Sequence, residues 1–175
     1  MRLIPIMLTI AAIAMTRPVI ADDDANLSTE LQILGRFVGT WDMDLTIKPT
    51  GGDVIKTKET EIRTWSLGRT FVRFEDAKKD TSGGPEFHLF LTYDPDTNTY
   101  PGMMMFGKGR TLITATWDEA TSTMTFKGTS PDDGNTFVAK NRFIDKNHCE
   151  STVVLKNAKG EVFMEQTYKQ TRRKG

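Results

Sequence analysis

Apolar and polar residues alternate with a period of two through most of this chain. The clearest run is the segment 41–48, WDMDLTIK, in which every second residue is apolar. Because successive side chains of a strand point to opposite faces, this pattern predicts a strand with one buried face and one face in water. Runs of the same kind recur at 87–93, 112–117, 124–126, 137–138 and 153–155.

Segments rich in Gly, Pro, Asn and Asp separate these runs, for example 49–53, 94–98 and 131–135. They recur about every 11 to 17 residues, which leaves no room for the crossover helices that parallel strands require. The runs number about ten, and an open twisted sheet of that size usually curls or closes. We therefore predict an all-β fold, a single antiparallel up-and-down β-barrel of about eight to ten strands, with a two-sheet sandwich as the alternative.

One short helix precedes the first strand. The apolar residues that recur at the spacing of one helical face are Leu27, Leu31, Leu34 and Phe37. Asn26 or Ser28 is placed to cap its first turn, and Gly35 and Gly39 limit its length. So brief a helix is not stable alone, and we expect its apolar stripe to pack against the barrel.

The N-terminus has the features of a secretory signal peptide. Arg2 is followed by the apolar run Leu3–Met15, which is too short to span a bilayer. We predict cleavage after Ala21, with Ala14 as the competing site, and export to the bacterial periplasm or the outside of the cell. The predicted divisions are the signal peptide 1–21, an acidic spacer 22–26, the barrel domain 27–172 and a basic tail 173–175.

The charge balance argues against nucleic acid as a partner. The chain has 23 basic and 23 acidic residues, and loss of Arg2 and Arg17 with the signal peptide leaves a formal charge of −2. So small a charge offers no electrostatic footprint for a phosphate backbone. We expect no nucleic acid as a partner and no stable membrane insertion after signal cleavage.

Few side chains are suited to metal binding. Cys149 is the single cysteine, so it has no disulfide partner within the chain, and we expect a thiol of low reactivity near a turn. The two histidines, His88 and His148, are too dispersed for a metal site. Haem on His88 is a weaker explanation than a histidine on the outer or partly polar face of a strand. We therefore predict neither a metal nor a cofactor.

Familiar catalytic motifs are missing from the sequence. It contains no Gly-x-Ser-x-Gly elbow and no phosphate-loop or dinucleotide glycine pattern. Carboxylates are paired at Asp42 with Asp44 and at Glu59 with Glu61, but their strand spacing beside basic residues predicts a solvated face. We expect no catalytic residues.

The segment Gly39-Thr40-Trp41, which follows the helix and opens the first strand, resembles the Gly-x-Trp signature of the calycins, the lipocalin and fatty-acid-binding superfamily. The resemblance implies that Gly39 and Trp41 close one end of the barrel. It also implies an arginine from the last strand stacked over the tryptophan, an arrangement that gains cation–π and packing energy. Arg172 is the candidate, with Arg173 as the alternative.

Residues 27–172 also resemble a family of exported bacterial proteins known only as a domain of unknown function and considered lipocalin-like. The matching segments are 34–41, 67–71, 93–95 and 168–172. Thr92 departs from the pattern, because a glycine is expected before the tyrosine. This resemblance implies a fold and no particular activity.

An open interior of such a barrel would hold an apolar molecule. Flexible thioethers and aromatic rings suit a ligand of loosely defined shape, and an inward arginine among Arg63, Arg73 and Arg142 would hold a carboxylate, as in fatty-acid carriers. Surface pairing of these arginines with glutamates is the alternative. The predicted ligand-binding residues are Trp65, Arg73, Phe90, Met104, Phe106, Trp117 and Arg142.

These features predict a non-catalytic exported barrel that binds or carries a small, largely apolar molecule. A barrel with a solid core, acting as a structural or interaction module, is the first alternative. An enzyme of an unrecognised type is the second. The volume and the lining of the interior distinguish the carrier from the solid core.

Overall fold

The computed structural model describes residues 27–77, 87–107 and 109–174, so the predicted signal peptide 1–21 and acidic spacer 22–26 lie outside the described residues. The described chain forms one helix and ten strands. They are α1 (Thr29–Gly35), β1 (Gly39–Pro49), β2 (Ile55–Ser66), β3 (Phe71–Asp76), β4 (Phe87–Leu91), β5 (Tyr100–Phe106), β6 (Gly109–Asp118), β7 (Thr123–Thr129), β8 (Thr136–Phe143), β9 (His148–Lys156) and β10 (Val162–Arg172).

The ten strands form one closed antiparallel barrel in which each strand pairs with its neighbours in sequence. The first and last strands complete the ring, because β1 pairs with β10 from Trp41 opposite Arg172 to Pro49 opposite Met164. The predicted up-and-down barrel is therefore confirmed, and the sandwich alternative is wrong. Closure leaves no strand edge among the ten strands with unpaired backbone groups.

The alternation in the sequence becomes the two faces of the barrel wall. In β1, Trp41, Met43 and Leu45 are buried in the interior, while Asp44 and Lys48 are exposed on the outer face. Residues opposite each other in neighbouring strands share a face. The register around the ring therefore assigns an inner or an outer face to each residue of every strand.

Helix α1 lies across one end of the barrel and seals it. The hydroxyl oxygen of Ser28 caps the helix by accepting a hydrogen bond from the backbone N–H of Leu31, at 3.3 Å. Ile33, Leu34 and Phe37 are buried in the main hydrophobic core. Within the described part of the chain, no helix has the length and apolar character needed to cross a membrane.

The interior differs between its two ends. In the half next to α1, called here the closed half, five inward-facing residues have no exposed surface: Trp41, Val72, Leu91, Ala115 and Met124. In the opposite half, called here the open half, Met104, Phe137 and Leu155 face inward but are only half-buried. At the rim of the open half, Ile55 and Phe106 are 51% and 55% exposed. The barrel is thus filled at one end and accessible at the other.

Candidate ligand-binding interior

The floor of the interior is built on Trp41. Its indole Nε1 donates a hydrogen bond to the carbonyl oxygen of Phe37 at 2.7 Å, which ties the first strand to the end of the helical segment. The guanidinium carbon of Arg172 lies 4.7 Å from the centre of the Trp41 ring. Gly39 has a φ of +135°, and a Cβ there would lie 3.3 Å from the Arg172 side chain. A glycine therefore lets the arginine approach.

A buried polar network lies directly above this floor. Arg63 of β2 is 3% exposed, and its guanidinium donates hydrogen bonds to Glu61 and to the side-chain oxygen of Gln170. Gln170 in turn donates to the hydroxyl of Ser151. The guanidinium carbon of Arg63 also lies 5.1 Å from the ring centre of Trp41. Burial of the arginine is compensated by an anion, a neutral acceptor and an aromatic face.

One donor of this network has no acceptor. Nη1 of Arg63 is buried and makes no hydrogen bond with a described group. Because Phe74 and Phe37 pack against the same guanidinium, at 5.1 and 5.9 Å from their ring centres, the donor lies among aromatic rings. Arg63 is therefore almost completely buried among its polar partners and these aromatic rings.

Glu59 and Glu61 occupy inward positions of β2, opposite Met43 and Trp41 of β1. The prediction of a solvated face for Glu61 is wrong, because its side chain is buried beside Arg63. Glu59 lies nearer the open end and forms no ion pair within the described residues. Although Glu59 is exposed, partial desolvation by the surrounding wall raises its pKa, and the nearby carboxylates Asp76 and Glu61 raise it further.

The other predicted pair of carboxylates behaves as expected from the sequence. Asp42 and Asp44 lie on the outer face of β1. Asp42 accepts hydrogen bonds from Arg173 at 2.7 and 2.8 Å, and Asp44 forms an ion pair with Lys58 at 2.8 Å. Hydrogen bonds from Arg173 and Thr60 lower the pKa of Asp42. These carboxylates are therefore part of the charged outer surface.

The open half has one polar wall and one apolar wall. On the polar side, the Tyr168 hydroxyl donates a hydrogen bond to the side-chain oxygen of Gln166 at 2.6 Å. The apolar side includes Met104 and Phe137, both packed against the core. A Cβ at Gly128 would lie 2.4 Å from the Phe137 ring, so the glycine makes room for that ring inside the barrel.

Four of the predicted ligand-binding residues face the interior, at two different depths. Met104 and Phe106 lie in the open half. Trp65 and Trp117 lie near the helix, half-buried against the core. The Trp117 indole donates a hydrogen bond to Glu119 at 2.5 Å. Only the first two residues are thus close to the accessible space.

The other three predicted residues lie on the outer face. Arg73 pairs with Phe90 across β3 and β4, and both alternate with inward residues. Arg73 donates a hydrogen bond to Glu75 at 2.9 Å, and Arg142 donates one to Glu150 at 2.7 Å. Both arginines therefore form the surface pairs that the sequence left as an alternative, while Arg63 is the mid-strand arginine that points inward.

The remaining candidate chemistry does not converge on the interior. Cys149 faces inward and is 1% exposed, and burial raises the pKa of its thiol to about 11. His148 lies on the surface beside Asp145, at 2.9 Å. No group of three His, Cys, Asp or Glu side chains able to hold a metal ion is present among the described residues.

A separate depression of about 720 Å³ lies on the outer wall, across β2, β1, β10 and β9. Most of its lining residues have outward register, and several are already paired with one another, such as Asp44 with Lys58. The depression is open to solvent, and none of the predicted ligand-binding residues lines it. Its lining also includes the inward-facing residues Met43, Glu59, Cys149 and Gln170.

These features define a class of fold, a closed ten-stranded antiparallel barrel with a short helix and a Trp–Arg stack at one end. Residues 27–170 match the family described as "Protein of unknown function (DUF1579)", and the chain belongs to that family. No curated protein is detectably similar to it in sequence.

Two solved structures share the fold. The S-type phycobiliprotein lyase CPES from Guillardia theta is similar with a TM-score of 0.60 and 13% identity, over 90% of this chain and 99% of that one. Rv2717c from M. tuberculosis is similar with a TM-score of 0.63 and 12% identity, over 85% of this chain and 100% of that one. At such identities the likeness concerns the fold alone.

Proposed function

We propose that this protein binds one small, largely apolar molecule in the open half of its barrel, and that it is a non-catalytic carrier or binding protein. The observation that carries the proposal is the contrast between the two halves. Inward-facing apolar side chains are fully buried beside α1, whereas Met104, Phe137 and Leu155 remain accessible although they face the interior. Apolar surface that faces an accessible cavity is typical of a ligand site.

The polarity of the walls supports a ligand with a small polar part. The aromatic and thioether groups of Phe106 and Met104 provide most of the contact surface. The polar wall offers the carboxyl of Glu59 and the paired side chains of Tyr168 and Gln166. Because Arg63 is 3% exposed and already bonded to Glu61 and Gln170, we do not assign it the carboxylate-binding role that an inward arginine has in fatty-acid carriers.

Two further observations support the proposal. A solved structure of similar fold is named as a phycobiliprotein lyase, which supports the handling of a small molecule by such a barrel. Both histidines of this chain lie on outer positions, opposite Glu75 or beside Asp145. The inward Ser151 and Cys149 therefore have no histidine base beside them, which favours binding over nucleophilic catalysis.

The cellular location is a further part of the proposal. We propose that residues 1–21 direct export and that the mature chain begins near residue 22, on the sequence features described above. N-terminal sequencing of the protein recovered from the periplasmic and cytoplasmic fractions of a bacterial host tests this directly. A periplasmic product that starts after Ala21 is expected, and an uncleaved cytoplasmic product contradicts the proposal.

Binding is tested with two adjacent residues of β8 that point to opposite faces. Ala139 faces inward and is half-buried, whereas Val138 faces outward and is 37% exposed. An uncharged naphthylamine dye should bind the wild-type protein with a stoichiometry of one and increase in fluorescence. Ala139→Trp places a large side chain in the interior and should weaken dye binding at least tenfold. The control Val138→Trp should leave dye binding unchanged.

Native mass spectrometry of protein purified from its own host provides the second measurement. A co-purifying small molecule, released by Ala139→Trp and retained by Val138→Trp, is the expected result. No dye binding and no bound mass in the wild-type protein would support the solid-core alternative and overturn the proposal.

A further inference from the structure

An apolar patch covers part of the outer wall of the barrel. It consists of Phe90 of β4, Met103 and Met105 of β5, and Leu112 of β6, and is called here the β4–β6 patch. Phe90 lies opposite Met103, and Met103 lies opposite Leu112, so these three form one continuous row across the strands. Met103 is 38% exposed and Leu112 is 72% exposed.

The patch differs from the outer faces of β7 and β1. On β7 the outward positions are Thr123, Thr125, Lys127 and Thr129, and on β1 they are Asp42, Asp44, Thr46 and Lys48. A soluble barrel gains nothing from several neighbouring apolar side chains in water, and exposed patches of this kind mark interaction surfaces. Since the ring of strands is closed, a partner cannot add a strand to an edge and must pack side chains against this face.

The charged residues beside the patch are arranged so that they can pair with those of a second copy of the same surface. The next row across the strands reads Glu75 of β3, His88 of β4, Met105 of β5 and Arg110 of β6. Glu75, which is ion-paired with Arg73 of the same strand at 2.9 Å, thus lies at one side of the patch, and Arg110 lies at the other. Arg110 is exposed and forms no ion pair with a described residue.

A two-fold axis in the interface plane, parallel to the strands and between β4 and β5, exchanges the two sides of the patch. Under this operation Glu75 of one molecule faces Arg110 of the other. Phe90 of one molecule faces Met103 of the other, which places apolar side chains at the centre. Leu112 faces Arg73 of the other molecule, whose aliphatic stem provides an apolar contact. Such self-complementarity is the requirement for a symmetric dimer.

We infer that the protein associates as a two-fold symmetric dimer through the β4–β6 patch. The inference is independent of the proposed ligand site, because these side chains lie on the outer face of the barrel. The open half of the interior is accessible from the end of the barrel and remains so in such a dimer.

The first test measures molar mass by sedimentation equilibrium from micromolar to near-millimolar concentration. The wild-type protein should approach the mass of two chains as the concentration rises. Leu112→Lys places a charge in the patch, opposite Arg73 of the second copy, and should weaken association at least tenfold. Val138→Lys, an equally apolar outer position on β8, is the matched control and should leave the dimer unchanged.

The second test reverses the peripheral charges. Arg110→Glu should weaken the dimer at least tenfold, because it places two acids opposite each other across the interface. Adding Glu75→Lys to this variant restores opposite charges and should recover most of the association. Since Glu75 also pairs with Arg73 at 2.9 Å, thermal unfolding of each variant establishes that the fold is retained.

Three results would overturn the inference. One is a monomer at every concentration. Another is a dimer whose dissociation constant is unchanged by Leu112→Lys. A third is a double variant Arg110→Glu with Glu75→Lys that dimerises no more tightly than Arg110→Glu alone. Flotation of a monomeric wild-type protein with phosphatidylcholine vesicles, abolished by Leu112→Lys, would also overturn it and assign the patch to a lipid surface.

Discussion

Arg63 is the least exposed charged residue of the described chain, at 3% exposure. A charge at this depth is tolerated only when its partners replace most of the water it has lost. Glu61, Gln170 and the aromatic rings around the guanidinium provide that replacement. Removal of Glu61 or Arg63 alone should therefore destabilise the folded protein.

We predict that Glu61→Gln destabilises the protein by about 3 kcal/mol or more, because it leaves a buried guanidinium without its counter-ion. The double variant Glu61→Leu with Arg63→Met should be less destabilised than Glu61→Gln. Equilibrium unfolding in urea measures both free energies.

The exposed pair Asp44 and Lys58 offers a matched control on the neighbouring outer face. Asp44→Asn should cost little, because exposed ion pairs contribute little to stability. Equal losses of unfolding free energy for Asp44→Asn and Glu61→Gln would contradict the prediction that the buried pair Glu61–Arg63 matters more than the exposed pair.

Glu59 provides a prediction on pH. Partial desolvation, together with Asp76 and Glu61, raises the pKa of Glu59 in the folded protein above its value in the unfolded chain. The folded state therefore holds this proton to a higher pH than the unfolded chain, and its stability falls as the pH rises through the folded pKa. We predict that Glu59→Gln raises the melting temperature at pH 7 relative to the wild type.

The rise in melting temperature caused by Glu59→Gln should vanish at about pH 3.5, where an ordinary glutamate is mostly protonated in both the folded and the unfolded state. Thermal unfolding at the two pH values measures the difference. Glu165→Gln, an exposed outer position of β10, is the control and should show no such pH-dependent gain. A stabilisation by Glu59→Gln that is the same at both pH values contradicts the prediction.

At the scale of the elements, the strands depend on close approach at a few glycines. Gly102 of β5 lies opposite Leu91 of β4 and Ile113 of β6. A Cβ there would lie 2.4 Å from the backbone carbonyl oxygen of Phe90. A backbone oxygen in a paired strand cannot rotate away as a side chain does, so the glycine is required by the packing of β4 against β5.

We predict that Gly102→Ala destabilises the protein by about 1–3 kcal/mol, the usual range for overpacking. Gly109→Ala is the control, because the nearest atom to its added Cβ is 3.4 Å away. Urea unfolding of the two variants measures the difference. A Gly102→Ala variant as stable as Gly109→Ala contradicts the predicted clash.

At the scale of the whole molecule, the barrel depends on contacts between the ends of the chain. β1 pairs with β10 over nine residue pairs, from Trp41 with Arg172 to Pro49 with Met164. These pairings close a loop of more than a hundred residues, and their formation carries a large entropic cost. The same strands also hold the floor, since Arg172 stacks on Trp41.

We predict that a chain ending at residue 161, without β10, does not unfold cooperatively. It would leave β1 and β9 as two long unpaired edges and expose the interior. Tryptophan fluorescence during urea unfolding should show no cooperative transition, with aggregation during purification. A chain ending at Arg173 retains β10 and should unfold like the full protein, and cooperative unfolding of the shorter chain would refute the requirement for closure.

Much of the candidate ligand-binding interior could not be predicted from the sequence. In some strands neither set of alternating residues is clearly apolar, so the sequence does not show which face points inward. In β2, Glu59, Glu61 and Arg63 share a face with Trp65, while Ile62 lies on the opposite face. The tryptophan was the one signal that the charged residues point inward. In β4, apolar residues occupy both faces, so the outward position of Phe90 is set by its pairing with Arg73.

The sequence by itself determined the strands, the turns between them, the antiparallel order and the helix before Trp41. These follow from side-chain alternation and backbone preferences, which act over a few neighbouring residues. Only the tertiary structure decided that the ring closes with ten strands, that Arg63 rather than Arg73 or Arg142 enters the core, and that one half of the interior stays accessible. Those outcomes depend on which residues lie opposite each other across the ring, and that register joins positions far apart in the chain.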